Sequence, residues 1–132
     1  MSVTSSAAVR TAKANVDLSA IGSDAVLTIY DGTRPATPDT AISGNNPLVV
    51  FTMTGAFGTV SDGVLTAATI PAASVTTAGT AAWARLATSG GTAVYDFAVS
   101  TETAATGDIQ FAAVDMVAGV QVSIASFTLT EQ

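Results

Sequence analysis

The sequence contains no cysteine and no histidine, and very little charge. Without cysteine there is no disulfide framework, no thiolate nucleophile and no cysteine-bound metal. Without histidine the chain lacks the side chain most used for acid–base catalysis near neutral pH, and the commonest metal ligand. Charged residues make up 11% of the chain, well under the ~25% of an ordinary soluble domain. Much of the polar surface must therefore be Thr, Ser and Gly, which suits a protein that packs against neighbours. The four basic residues, Arg10, Lys13, Arg34 and Arg85, are scattered, and ten acids leave a net charge of −6. Phosphate backbones need basic clusters, so no nucleic-acid partner is expected. No apolar run approaches the ~20 residues needed to span a bilayer, and residues 1–20 lack the apolar core of a signal peptide. The expectation is a soluble protein made in a cytoplasm, with no membrane partner.

What is present is apolar and finely divided. Ala and Thr account for more than a third of the 132 residues. The mean hydropathy of +0.51 excludes a disordered tract. Apolar bursts separated by turn residues predict strands at 25–30, 48–53 and 64–70, two more within 83–99, then 108–116 and 120–130. About seven strands at regular spacing predict an all-β, single-domain fold, a β-sandwich or a Greek-key or jelly-roll-like barrel. The domain is expected to span 25–132, preceded by an N-terminal arm or helix over 1–24. In that segment Val9, Lys13 and Val16, with Ala8 and Ala12, fit two turns of helix after a Ser cap. An extended arm that orders against a partner fits equally.

"WARLATSGGTAVYDF", residues 83–97, resolves into a hairpin. A turn centred on Gly90-Gly91 pairs Leu86 with Tyr95, Arg85 with Asp96, Ala84 with Phe97 and Trp83 with Ala98. One face then carries Ala84, Leu86, Tyr95, Phe97 and Val99, a core face. The other carries Trp83, Arg85, Val94 and Asp96, with Arg85 and Asp96 as a cross-strand ion pair. On that second face Trp83 is expected to be covered, by the N-terminal segment or by a neighbouring subunit. In the last strand Val120, Val122 and Ile124 share one parity, and Phe127 and Leu129 the other. A bulge or a change of sheet near Ala125-Ser126 is required to bury both sets.

Candidate chemistry is sparse. In "IYDGTRPATPD", Asp31 and Asp39 with Thr33 and backbone carbonyls offer oxygens of the kind calcium takes, but at the spacing of no established loop. Asp31, Asp62, Asp96, Asp108 and Asp115 sit mostly at strand ends or turns, rather than as a converging acid–base pair. Ser and Thr nucleophiles would have only Lys13 as a base. Gly63 and Gly107-Asp108 belong to no phosphate-cradling pattern. A sugar platform would need Trp83 working with Tyr30 or Tyr95. No catalytic, cofactor-binding or metal residue is assigned, and no cofactor is expected.

The order of short motifs adds a resemblance. "IYDG-x-x-P" follows the first strand and "AFG" precedes "GVLTA". A "GTA-x-W-x-R" strand, a "GTAV" after the turn and a terminal "SFTLT" follow. Together, over residues 26–130, these resemble a poorly characterised family of small proteins encoded among tailed-phage structural genes. The resemblance implies a virion component rather than an enzyme, and carries over no catalytic residue. It implies a capsid decoration or cement protein on the capsid surface, binding the major capsid protein. A tail or neck component, or a host- or carbohydrate-binding module on the particle, is the alternative. Self-association, as a trimer, is expected only by analogy with other cement proteins.

Overall fold

A computed structural model describes residues 6–53, 58–61, 64–67, 70–101, 109–124 and 126–130. Asp62, Gly63, Gly107 and Asp108, considered above, lie outside the described residues. The described residues are mostly strand, with one helix among them.

The helix, α1, runs Ala7–Ile21. Alanine at five of its positions favours it. The Ser6 hydroxyl caps its start by accepting from the Val9 N–H at 3.2 Å. It stops at Gly22, whose φ of 72° is open to glycine and whose N–H donates to the Leu18 carbonyl at 3.1 Å. N-terminal residues 7–21 are thus helical, for four turns rather than two. The face that seals the core is Ala14, Leu18 and Ile21, at spacings of four and three. Val9 and Val16, expected to form the apolar face, are 47% and 68% exposed. They lie about 140–160° around the helix from Ala14, so one face excludes the other. The helix lies against the third and fourth strands.

The strands are β1 (Val26–Tyr30), β2 (Pro47–Thr52), β3 (Gly58–Ser61), β4 (Val64–Ala67), β5 (Ala73–Ser74), β6 (Gly79–Thr80), β7 (Trp83–Ala87), β8 (Ala93–Thr101), β9 (Ile109–Phe111), β10 (Asp115–Met116), β11 (Gln121–Val122) and β12 (Ser126–Thr130). Eight of them form one sheet in the order β2-β1-β7-β8-β9-β12-β4-β3. Among the described strands only β8 and β9 pair in parallel, Val99 beside Ile109, so the sheet is mixed. Three strands separate β2 from β9, which in a flat sheet would stand about 19 Å apart. Yet the Phe51 and Phe111 rings are 6.1 Å apart. The sheet therefore curls, and its concave face is the core. Leu27 and Ile29 of β1, Val49 and Phe51 of β2, Ala84 and Leu86 of β7, and Phe97 of β8 meet there in register.

The hairpin has the expected register: Trp83 faces Ala98, Ala84 Phe97, Arg85 Asp96, and Leu86 Tyr95. Beyond Leu86 it shifts, since Ala87 faces Ala93 and Val94 is the extra residue. The turn is why. The Gly91 N–H donates to the Thr88 carbonyl and the Thr88 N–H to the Thr92 carbonyl, with Gly91 at φ 92°. That is a three-residue loop whose left-handed glycine forms a bulge.

Two of the expected strands divide. Residues 108–116 give β9 in the main sheet and β10 beside β6. Residues 120–130 give β11 beside β5 and β12 between β9 and β4, so the chain changes sheet where the side-chain parity breaks. The side chains of Phe127 and Leu129 lie outside the description. The small pairings form one object. Ala73 faces Val122, Ser74 Gln121, Gly79 Met116 and Thr80 Asp115, all in a single antiparallel register. Segments 73–81 and 114–122 thus run as one ribbon in a single register, interrupted in the middle.

Candidate functional site

A polar cluster lies on the convex face of β1, β7 and β8, opposite the core. Because strand side chains alternate, the residues that send Ala84 and Leu86 inward send Trp83 and Arg85 outward. Both are nonetheless buried, with Trp83 only 1% exposed. Tyr30, beside Trp83 in register on β1, stacks on the indole with ring centroids 4.7 Å apart and planes 17° apart. The Arg85 guanidinium carbon sits 5.4 Å from the indole centroid on the neighbouring outward position.

Arg85 is held as a fork. Its Nε donates to Asp96 Oδ1 at 2.8 Å and its Nη2 to Oδ2 at 3.0 Å. Nη1 donates to the Thr40 carbonyl at 3.0 Å and Nη2 also to the Thr37 carbonyl at 3.4 Å. The bonds to Asp96 raise the guanidinium above its already high ordinary value, so it stays charged. The ion pair is thus buried, not an exposed cross-strand pair.

The cover is residues 31–46, a strap that leaves β1 and returns as β2. None of its residues is buried, and polar bonds hold it. At its neck the Asp31 carboxylate accepts from the Asn46 backbone N–H at 2.7 Å and from Asn46 Nδ2 at 3.2 Å. Asn45 Nδ2 donates to the carbonyls of Asp31 and Thr33, and Trp83 Nε1 donates to the Asp31 carbonyl at 3.1 Å. Gly32 turns at φ 74°, and a side chain there would meet Asn45 Nδ2 at 2.9 Å. The Asn46 backbone N–H, then its side chain, hold the Asp31 carboxyl below its ordinary value of 3.8.

Trp83 is therefore covered within its own chain, by Tyr30, Arg85 and the strap. Helix α1 is elsewhere, against β3 and β4. An indole so enclosed offers no surface platform for a sugar. Tyr95 lies apart, beside Phe97 at 5.8 Å. On the strap, Asn46 N–H donors engage both Asp31 carboxylate oxygens. Among the described residues no three acidic side chains gather. Asp39 stands exposed in mid-strap, Asp96 is paired with Arg85, and Asp115 lies on the ribbon near Thr80 Oγ1 at 3.5 Å. Lys13 is on the exposed side of α1.

Sequence reasoning brought Arg85 and Asp96 together but missed Asn45 and Asn46. Both stand in a Gly-Asn-Asn-Pro run that reads as an irregular turn, and asparagine side chains in such runs often bond backbone groups. That habit was the available signal. The assembled cluster pairs the Arg85 guanidinium with the Asp96 carboxylate and engages the Asp31 carboxylate through Asn46. It holds a loop on a sheet.

No protein-family model, curated protein or solved structure matches this chain.

Proposed function

We propose that this chain is a non-enzymatic structural protein of a tailed-phage virion, a capsid decoration or cement protein that binds the major capsid protein and itself. One observation carries the reading: the residues best equipped for chemistry, Arg85, Asp96, Trp83 and Asp31, are engaged with one another and with the strap. What remains for a partner is a surface of Thr, Ala and Ser, which lies against another protein without desolvating many charges. The ordered motifs over 26–130 support placement among virion components. The curled sheet, with Phe51 against Phe111 across the core, is read as a sandwich-like or jelly-roll-like closure. Working as cement, many copies would each bury a modest interface across joints of the shell, and symmetry would multiply the effect.

The test is to purify particles and count the protein by quantitative mass spectrometry. Hundreds of copies per particle are expected. A handful would move the protein to the tail or neck, and absence from the particles would reject the virion assignment.

A further inference from the structure

We propose that the Asp31–Gly32 linkage is a latent site of succinimide formation and conversion to isoaspartate, and that Asn45 and Asn46 form the latch that holds it off. The inference concerns the neck of the strap alone, and holds whether or not the protein enters a virion.

An aspartyl–glycyl linkage can rearrange without an enzyme. The Gly32 nitrogen, which no side chain shields, bonds to Cγ of Asp31. The nitrogen gives up its proton and a carboxyl oxygen leaves as water, closing a cyclic succinimide. Water then opens the ring. Attack at Cγ restores aspartate, whereas attack at the former main-chain carbonyl leaves the backbone running through the side chain, as isoaspartate. The water lost in the first step is regained in the second, and nothing is oxidised or reduced. Gly32 is exposed, so water reaches the linkage.

The neck clamps both reacting groups. The Asp31 carbonyl accepts from Asn45 Nδ2 and, at 3.1 Å, from Trp83 Nε1, which fixes the peptide plane that holds the Gly32 nitrogen. The carboxylate stands where this carbonyl would stand in a regular antiparallel pair. The Asp31 N–H donates to the Asn46 carbonyl at 3.3 Å, and the Asn46 N–H returns to Asp31 Oδ1 at 2.7 Å. Asn46 Nδ2 holds the other oxygen at 3.2 Å. Ring closure must bring Cγ to bonding distance of the Gly32 nitrogen, and each of these holds resists that approach. The same donors favour the ionised carboxylate, whose oxygen leaves less readily than that of the neutral acid.

The neck also has no room for the product. A side chain at Gly32 would already meet Asn45 Nδ2 at 2.9 Å, and isoaspartate adds a methylene carbon to the main chain at the preceding residue. The carbonyl that Trp83 Nε1 uses becomes part of a free carboxylate. Conversion therefore unseats the strap from the indole.

Ageing the purified full-length protein at neutral pH, followed by peptide mapping with electron-transfer fragmentation, reads isoaspartate at residue 31. It should form more slowly in the native wild type than in the same chain held in guanidinium chloride, by about tenfold or more, since each hydrogen bond to a charged group shifts an equilibrium by at least that factor. Asn45→Ala/Asn46→Ala should bring the native rate towards the denatured one with circular dichroism unchanged. Asn46→Ala alone should give an intermediate rate, serving where the paired change disturbs folding. Ile21→Ala, which weakens the core beneath α1, should leave the native rate at residue 31 as in the wild type. Aged fractions rich in isoaspartate should show Trp83 quenched more readily by acrylamide. Equal native and denatured rates in the wild type would overturn the proposal. So would asparagine variants as slow as the wild type, a rise with Ile21→Ala that matches theirs, or isoaspartate that accumulates while Trp83 stays shielded.

Discussion

Arg85 and Asp96 face each other across β7 and β8 with two bonds of 2.8 and 3.0 Å, and their side chains are only 10% and 6% exposed. An exposed pair of this kind contributes roughly 0–1 kcal/mol. Burial changes the consequence of breaking it. Asp96→Ala leaves a guanidinium under the strap with only the Thr37 and Thr40 carbonyls, and should lower stability by about 3–5 kcal/mol. Arg85→Met/Asp96→Leu removes both charges and should cost much less. Urea unfolding of the single and double variants measures the difference. Equal losses would mean the pair is solvated.

The strap's neck should respond to acid. The Asn46 donors hold the Asp31 carboxyl below 3.8 when folded, so ionised Asp31 favours the closed strap. This contribution is complete above the unfolded value and lost as pH falls through the lower folded one. Acrylamide quenching of Trp83 should therefore rise below about pH 3.8. Asp31→Asn should remove that step and raise quenching at neutral pH.

Glycine at 32 and at 90 should differ in tolerance. Gly32→Ala meets both a φ of 74° and Asn45 Nδ2 at 2.9 Å, and is expected to cost more than about 1 kcal/mol. At Gly90 the φ is ordinary and the nearest atom, Thr88 Oγ1, is 3.8 Å away, so alanine should be accepted. Thermal melts of the two variants decide.

On the helix, Ile21→Ala should destabilise by about 2–5 kcal/mol through the cavity it leaves. Val16→Ser, on the 68% exposed position, should stay within about 0.5 kcal/mol. The reverse ranking would mean that α1 packs through its other face.

Trp83 should emit in the blue, as an enclosed indole does, and Trp83→Ala should cost about 3–5 kcal/mol. Red-shifted emission that quenches freely at pH 7 would place the ring in solvent.

What the sequence determined by itself is what short-range chemistry controls. Alternation along Val26–Tyr30, the Gly90-Gly91 turn with its pairing of Arg85 and Asp96, and the parity break that moves the chain from β11 to β12 each depend on residues close in the chain. The tertiary structure alone decided the rest. Which face of α1 turns inward depended on the neighbouring strands, because scattered alanines and two valines leave the helix with weak preference. The strap could not be foreseen over Trp83, since a loop of Thr, Pro, Asn and Gly has no apolar period to announce its seat. Its seat is set by main-chain carbonyls at Thr37 and Thr40 meeting an arginine some 45 residues onward. Carbonyls are identical at every position of a chain, so only the folded geometry says which of them an arginine reaches.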